Sequence, residues 1–67
     1  MEISARNKLP GVVKEIKSGA ILAEVTISVG DNDITAIITK GSADQLDLKV
    51  GDRVYAIVKA TEVMIGK

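Results

Sequence analysis

Residues 20–39 read AILAEVTISVGDNDITAIIT, and this stretch decides the fold. Ile21, Ala23, Val25, Ile27 and Val29 alternate with Leu22, Glu24, Thr26 and Ser28. A side-chain period of two puts the first set on one face and the second on the other, the pattern of a half-buried strand. Gly30–Asp33 (GDND) has the composition of a hairpin loop. Ile34–Thr39 (ITAIIT) is the next strand, apolar enough for a central or interfacial position.

Upstream, Gly11–Lys17 (GVVKEIK) is short and rich in β-branched residues, and Ser18-Gly19 marks a turn. Pro10 sits where a strand bends or ends. Downstream, KGSADQLDLKVGD breaks the β pattern. Ser42 suits a helix N-cap, with Gln45 three positions on as its capping-box partner. One or two helical turns are expected over Ser42–Leu46, closed before Gly51. Arg53–Ala60 (RVYAIVKA) is a strand, Thr61-Glu62 interrupts it, and Val63–Ile65 follows as a terminal strand. The expectation is an all-β fold in which residues 1–67 form a single domain. It would be a small OB-like Greek-key barrel of five or six strands with one short helix.

A chain of 67 residues buries only about 60% of the surface its unfolded form exposes, so a monomer would be marginal. Small scaffolds compensate with disulfides, metals or oligomerisation. The sequence has no cysteine and no histidine, which removes disulfides and Cys/His zinc sites. Yet 46% of its residues are apolar and Tyr55 is the sole aromatic. So many small aliphatic side chains on a short chain point to burial between subunits, hence an obligate homo-oligomer. Glu2, Ser4, Arg6, Asn7 and Lys8 interrupt any secretory h-region. No apolar run approaches the ~20 residues that cross a bilayer. A cytoplasmic protein without membrane contact is expected. Nine basic residues balance nine acidic ones, so nothing draws the chain to nucleic acid in general.

Catalysis has little support. Without histidine or cysteine, the serines and threonines have only carboxylates and lysines as candidate bases. GDND resembles part of a calcium loop but lacks the further ligands and the distal glutamate, so a polar hairpin tip is the better reading. Anion binding fares better. Three segments concentrate donors: Ser4-Ala5-Arg6-Asn7, Thr39-Lys40-Gly41-Ser42 and Lys59-Ala60-Thr61. Each lies at a strand end or helix start, and strand ends from distant parts of a barrel can converge on one rim. Arginine offers a rigid fork of donors and lysine a compact charge. Plainer roles exist for each: Ser42 as a cap only, Arg6 paired with Glu62 or Asp52, Lys59 as a solvated edge residue.

The residues SARN (4–7), ITAIIT (34–39) and KGSADQLDLKVGDRVYAIVKATEVMIG (40–66) resemble the molybdate-binding Mop domain, and the whole chain resembles a free-standing molbindin. The pairing of SARN with LKVGDxVYAxxKAT at this spacing is what makes the resemblance specific. It implies an OB-like barrel, assembled as a hexamer (a trimer of dimers) with oxyanion sites between subunits. It implies non-covalent binding of molybdate or tungstate, without an organic cofactor, for storage and homeostasis in the cytoplasm. Carried over residue by residue, the site would take Ser4, the backbone of Ala5, Arg6 and Asn7. To these it would add Thr39 and Ser42, then Lys59, the backbone of Ala60 and Thr61. A second class of site, built mainly from backbone amides on a symmetry axis, is also implied.

The chemistry agrees with that implication. Molybdate is fully ionised at neutral pH and only accepts hydrogen bonds, so its site should hold donors alone. Hydrogen phosphate keeps a proton that a donor-only site cannot satisfy. The alternative is an OB-type module for single-stranded nucleic acid, but that needs aromatic platforms and a basic groove. LKVGDRVYA also resembles segments of swapped-hairpin DNA-binding folds, which need a basic recognition face. This chain has neither.

Overall fold

A computed structural model describes residues 4–67; Glu2, read above as part of the N-terminal segment, lies outside them. The elements are β1 (Asn7–Ser18), β2 (Leu22–Val29), β3 (Asn32–Thr39), the helix α1 (Lys40–Gln45), β4 (Arg53–Val58) and a 3-10 turn at Ala60–Glu62. The four strands make one antiparallel sheet in the order β3-β2-β1-β4.

The long strand β1 is the spine. Its first half pairs with β4, from Asn7↔Val58 to Val12↔Arg53. Its second half pairs with β2, from Val12↔Ser28 to Ser18↔Ala23. A bulge between Val13 and Glu15 lets the strand bend as it changes partner. Gly11 lies near this crossover. A Cβ there would come within 2.6 Å of Ile27 Cγ2 and of the Ser28 carbonyl oxygen, so only glycine lets β2 approach so closely.

The β2–β3 hairpin closes through Gly30-Asp31, with Val29 opposite Asn32. Gly30 has φ +60°, as the first position of a II′ turn requires. The loop is thus two residues long, and Asn32 and Asp33 belong to β3. Alternation along β2 is as its sequence predicts: Ala23, Val25 and Ile27 are buried, and Val29 packs beside them. Only Ile21 departs, lying exposed before the strand begins. Val25, Ile27, Val13 and Ala56 form the core, with Ile16, Ile34, Ile38, Leu48 and Val54 packed around it.

Two expectations need correction. The helix begins at Lys40, and its N-cap is Thr39, whose Oγ1 accepts from the Ser42 N–H; Ser42 stands three positions inside. The strand runs into the helix with no loop, so one threonine both ends β3 and caps α1. Val63–Ile65 is not a strand within this chain. It leaves the 3-10 turn extended at Val63 (φ −88°, ψ 128°) but joins no ladder. Its apolar composition suits a strand, but a strand also needs its backbone paired in a ladder, and this segment pairs with none. The described residues therefore give four strands rather than five or six.

Candidate functional site

The candidate donors fall into two clusters. Asn7↔Val58 is the last pair of the β1–β4 ladder, so Arg6 and Lys59 sit one residue beyond it on adjacent strands of the same chain. The Asn7 side-chain amide donates to the Val58 carbonyl at 3.1 Å, tying the N-terminal segment to the end of β4. Ala5 is buried and anchors that segment, while Ser4 and Arg6 are exposed. Lys59 precedes the 3-10 turn, closed by a bond from Glu62 N–H to the Lys59 carbonyl at 2.9 Å. Ala60 and Thr61 open that turn and are exposed. Among the described residues, neither Arg6 nor Lys59 forms an ion pair. The partnerships weighed for Arg6 do not form, and Asp52 is used otherwise, its carboxylate accepting from Lys49 N–H.

Thr39 and Ser42 make the second cluster. Thr39 Oγ1 donates to Ser42 Oγ at 2.8 Å and accepts from Ser42 N–H at 3.0 Å. The Ser42 hydroxyl hydrogen is left to donate outward. Thr39 Oγ1 spends its hydrogen and one lone pair within the cap, so the free hydrogen of the hydroxyl pair is that of Ser42.

These clusters lie at opposite ends of β1. Asn7 is its first residue, and its last, Ser18, faces Ala23, next to the Leu22↔Thr39 pair. Both halves of β1 are held in ladders, so the strand cannot fold back on itself. At roughly 3.3 Å per residue its twelve residues span up to about 36 Å, and the molecule's longest dimension is 35 Å. Hydrogen bonds to one small ion require donors within about 3 Å of its oxygens. Among the described residues no hydrogen bond or ion pair joins the two clusters within one chain.

Concavity and chemistry also part company. An open groove of about 580 Å³ runs along Pro10, Val12, Ser28, Arg53 and Tyr55 and includes none of the candidate donors. It is wide open, and the donor chemistry is the better guide. A smaller one of about 400 Å³ is lined by Asn7, Leu9, Val58, Ala60 and Val63 and adjoins the Arg6–Lys59 cluster. Among the described residues no polar side chain is buried, and no group of His, Cys, Asp and Glu could hold a metal ion. No described helix is long and apolar enough to cross a membrane.

The TOBE domain family profile matches residues 3–65. The chain belongs to the TOBE domain family. Among TOBE relatives it is 47% identical to molybdenum-pterin-binding protein 1 of Clostridium pasteurianum over 97% of both chains. It is 43% identical to a probable molybdenum-pterin-binding protein of Haemophilus influenzae, over 98% of this chain and 97% of the other. A molybdate-binding protein from Sporomusa ovata superposes with a TM-score of 0.95 at 45% identity, each chain covered completely. The cytoplasmic molybdate-binding protein ModG superposes at 0.83 and 43% identity, over 90% of this chain and 43% of that one. The TOBE module thus occurs both as a chain of this size and as part of a longer one.

Lys40 follows Thr39 in the chain, and its Nζ donates to Asp44 Oδ2 at 2.9 Å.

Proposed function

We propose that this chain binds molybdate, and tungstate with it, at sites completed by two copies, and that it stores or buffers these oxyanions in the cytoplasm. The observation that carries the reading is the pairing of β1, whose first half lies against β4 and whose second half lies against β2, so that the Arg6–Lys59 donors and the Thr39–Ser42 donors stand toward its two ends. Ser4, Arg6, Lys59 and the backbone around Ala5 and Ala60 supply one wall. Thr39 and Ser42 of a second copy supply the other. Asn7 spends a donor on Val58 and so acts as the tie that positions Arg6. Thr61 contributes its hydroxyl from the 3-10 turn.

Exposed apolar surface supports assembly. Leu9, Val63, Met64 and Ile65 are all exposed, the last two at 91%, next to the Arg6–Lys59 cluster. So much aliphatic surface at one end of a small chain is the mark of an interface. The hexamer implied by the resemblance to molbindins would place the ends of neighbouring β1 strands together. The relatives named for molybdate or molybdenum-pterin supply the ligand class. The donor chemistry supplies the reason: a fully ionised tetrahedral dianion needs donors and repels carboxylates. No step in this reading breaks or forms a covalent bond.

Calorimetric titration with molybdate, with sulfate and phosphate as competitors, tests the reading. Saturable molybdate binding that phosphate fails to displace is expected. Equal binding of all three would contradict a donor-only site. Nucleic-acid binding in place of oxyanion binding would favour the OB-module alternative.

A further inference from the structure

The outer face of the sheet carries two patches beyond the proposed oxyanion donors. Val13, Val25 and Ala56 are buried, so their strand neighbours point outward. On β1–β4 the outward rows are Lys8↔Ile57, Pro10↔Tyr55 and Val12↔Arg53. Val12, Tyr55 and Ile57 are exposed, an apolar stripe with a cation at each end and no carboxylate in these rows. On β2–β3 the outward rows are Leu22↔Thr39, Glu24↔Ile37 and Thr26↔Thr35. Leu22 and Ile37 are exposed, and the one charge in these rows is Glu24. Among the described residues, neither Lys8, Arg53 nor Glu24 forms an ion pair.

The patches match: each is apolar, one is basic and the other acidic. Both lie on the same side of one sheet, so they meet only between copies. The shared site sets their alignment. Arg6 is two residues from Lys8, and Thr39 is two residues from Ile37. At roughly 3.3 Å per residue both steps cover about 7 Å. With Arg6 and Thr39 on one ion, the Lys8↔Ile57 row of one copy falls level with the Glu24↔Ile37 row of the other. Lysine then meets glutamate, and isoleucine meets isoleucine. A slip of one row sets Lys8 against Leu22 and Thr39, or against two threonines, and leaves both charges unmatched.

We infer that a second copy of this chain packs the outer face of its β2–β3 hairpin on the outer face of β1–β4, with Glu24 against Lys8 and Ile37 against Ile57. This rests on the reading that Arg6 and Thr39 serve one ion from two copies. The aliphatic rows supply the buried area, and the charge pair selects the partner face and its register.

The test is a charge-swap cycle read by sedimentation over a concentration series, without oxyanion. Lys8→Glu and Glu24→Lys each set like charges face to face and should raise the dissociation constant about tenfold or more. The double variant restores an opposite pair and should return to within about threefold of wild type. Glu24 pairs with Lys17, far along β1 from Lys8, so such rescue comes only from contact between copies. Losses that add in the double variant, or single variants that assemble as wild type does, overturn the inference. Circular dichroism checks the fold. If Glu24→Lys unfolds beside Lys17, Lys8→Gln and Glu24→Gln run the same cycle, with a coupling of about two- to fivefold expected and no coupling overturning the contact. Molybdate titration of the wild type separates the two levels. Molybdate binding without charge rescue sinks the outer-face contact alone, and rescue without molybdate binding sinks the oxyanion reading alone. A wild type that stays monomeric sinks both.

Discussion

The two ends of β1 are built differently. At the Ser18 end, β1 is flanked by β2, β3 packs beyond, and α1 covers the hairpin through buried Ala43. The inward residues there are satisfied by the chain itself: Val13 is 1% exposed and Val25 3%. At the Asn7 end β1 has only β4 beside it, and inward Leu9 remains 37% exposed over an open groove. The core is closed around β2, yet aliphatic side chains stay exposed at both ends, Ile21, Leu22 and Ile37 at one and Leu9, Val63, Met64 and Ile65 at the other. Both ends carry donors of the proposed oxyanion site. On that proposal a site forms where the Ser18 end of one copy meets the Asn7 end of another, the unfinished one because only β4 flanks β1 there.

Substitutions at the unfinished end should have the largest effect. Met64→Asp puts a charge on the exposed apolar tail and should dissolve the assembly, as sedimentation would show by a fall to monomer. Oxyanion binding should vanish with it. A monomer that still binds molybdate tightly would break the comparison outright.

Arg6→Ala comes next. It removes charge-assisted hydrogen bonds worth about 1.5–3 kcal/mol, so molybdate affinity should fall more than tenfold while the oligomer survives. Calorimetry together with size-exclusion chromatography separates those outcomes.

Two glycines sharpen the contrast on the side of stability. Gly11→Ala forces a Cβ against Ile27 and the Ser28 carbonyl at the β1 crossover. Overpacking there should cost about 1–3 kcal/mol in denaturant unfolding. Gly41→Ala meets open space on the first turn of α1 and should be neutral or stabilising by up to about 1 kcal/mol.

The smallest effect belongs to Lys14–Asp33, a surface pair at 2.8 Å across the sheet. The hydrogen bond that Lys14 donates to the Asp33 carboxylate, and then the carboxylate's charge, raise the Lys14 pKa above its ordinary value of 10.5. A raised lysine contributes stability that is complete below 10.5 and is lost as pH rises through the folded-state value. Asp33→Asn should therefore leave thermal stability near neutral pH almost unchanged. Any difference from wild type should shrink further in strongly alkaline solution.

Much of this was legible in the residues. The period-two alternation from Ala23 to Val29 named the buried face of β2, because a strand with one face in a core must alternate. GDND marked the hairpin through the glycine that its turn requires. The helix was found but its start was misplaced. Thr39 and Ser42 are both good caps, and the Gln45 spacing favoured Ser42, whereas the uninterrupted passage from β3 into α1 made Thr39 the cap. Val63–Ile65 has the composition of a strand, but composition does not reveal whether a pairing edge is available within the chain. The donor segments were visible as clusters of hydroxyls and cations. Their separation was not, because it depends on which half of β1 pairs with which neighbour. That pairing is a property of the sheet rather than of any local stretch.

Complementation between two defective variants tests the shared site most directly. Arg6→Ala and Ser42→Ala copies, each impaired alone, are co-refolded in equal amounts, and molybdate binding is titrated. If each site takes Arg6 from one copy and Ser42 from another, random assembly restores about one quarter of the sites to wild-type affinity. If both residues served one ion from the same chain, no intact site could form and the mixture would bind no better than its parents.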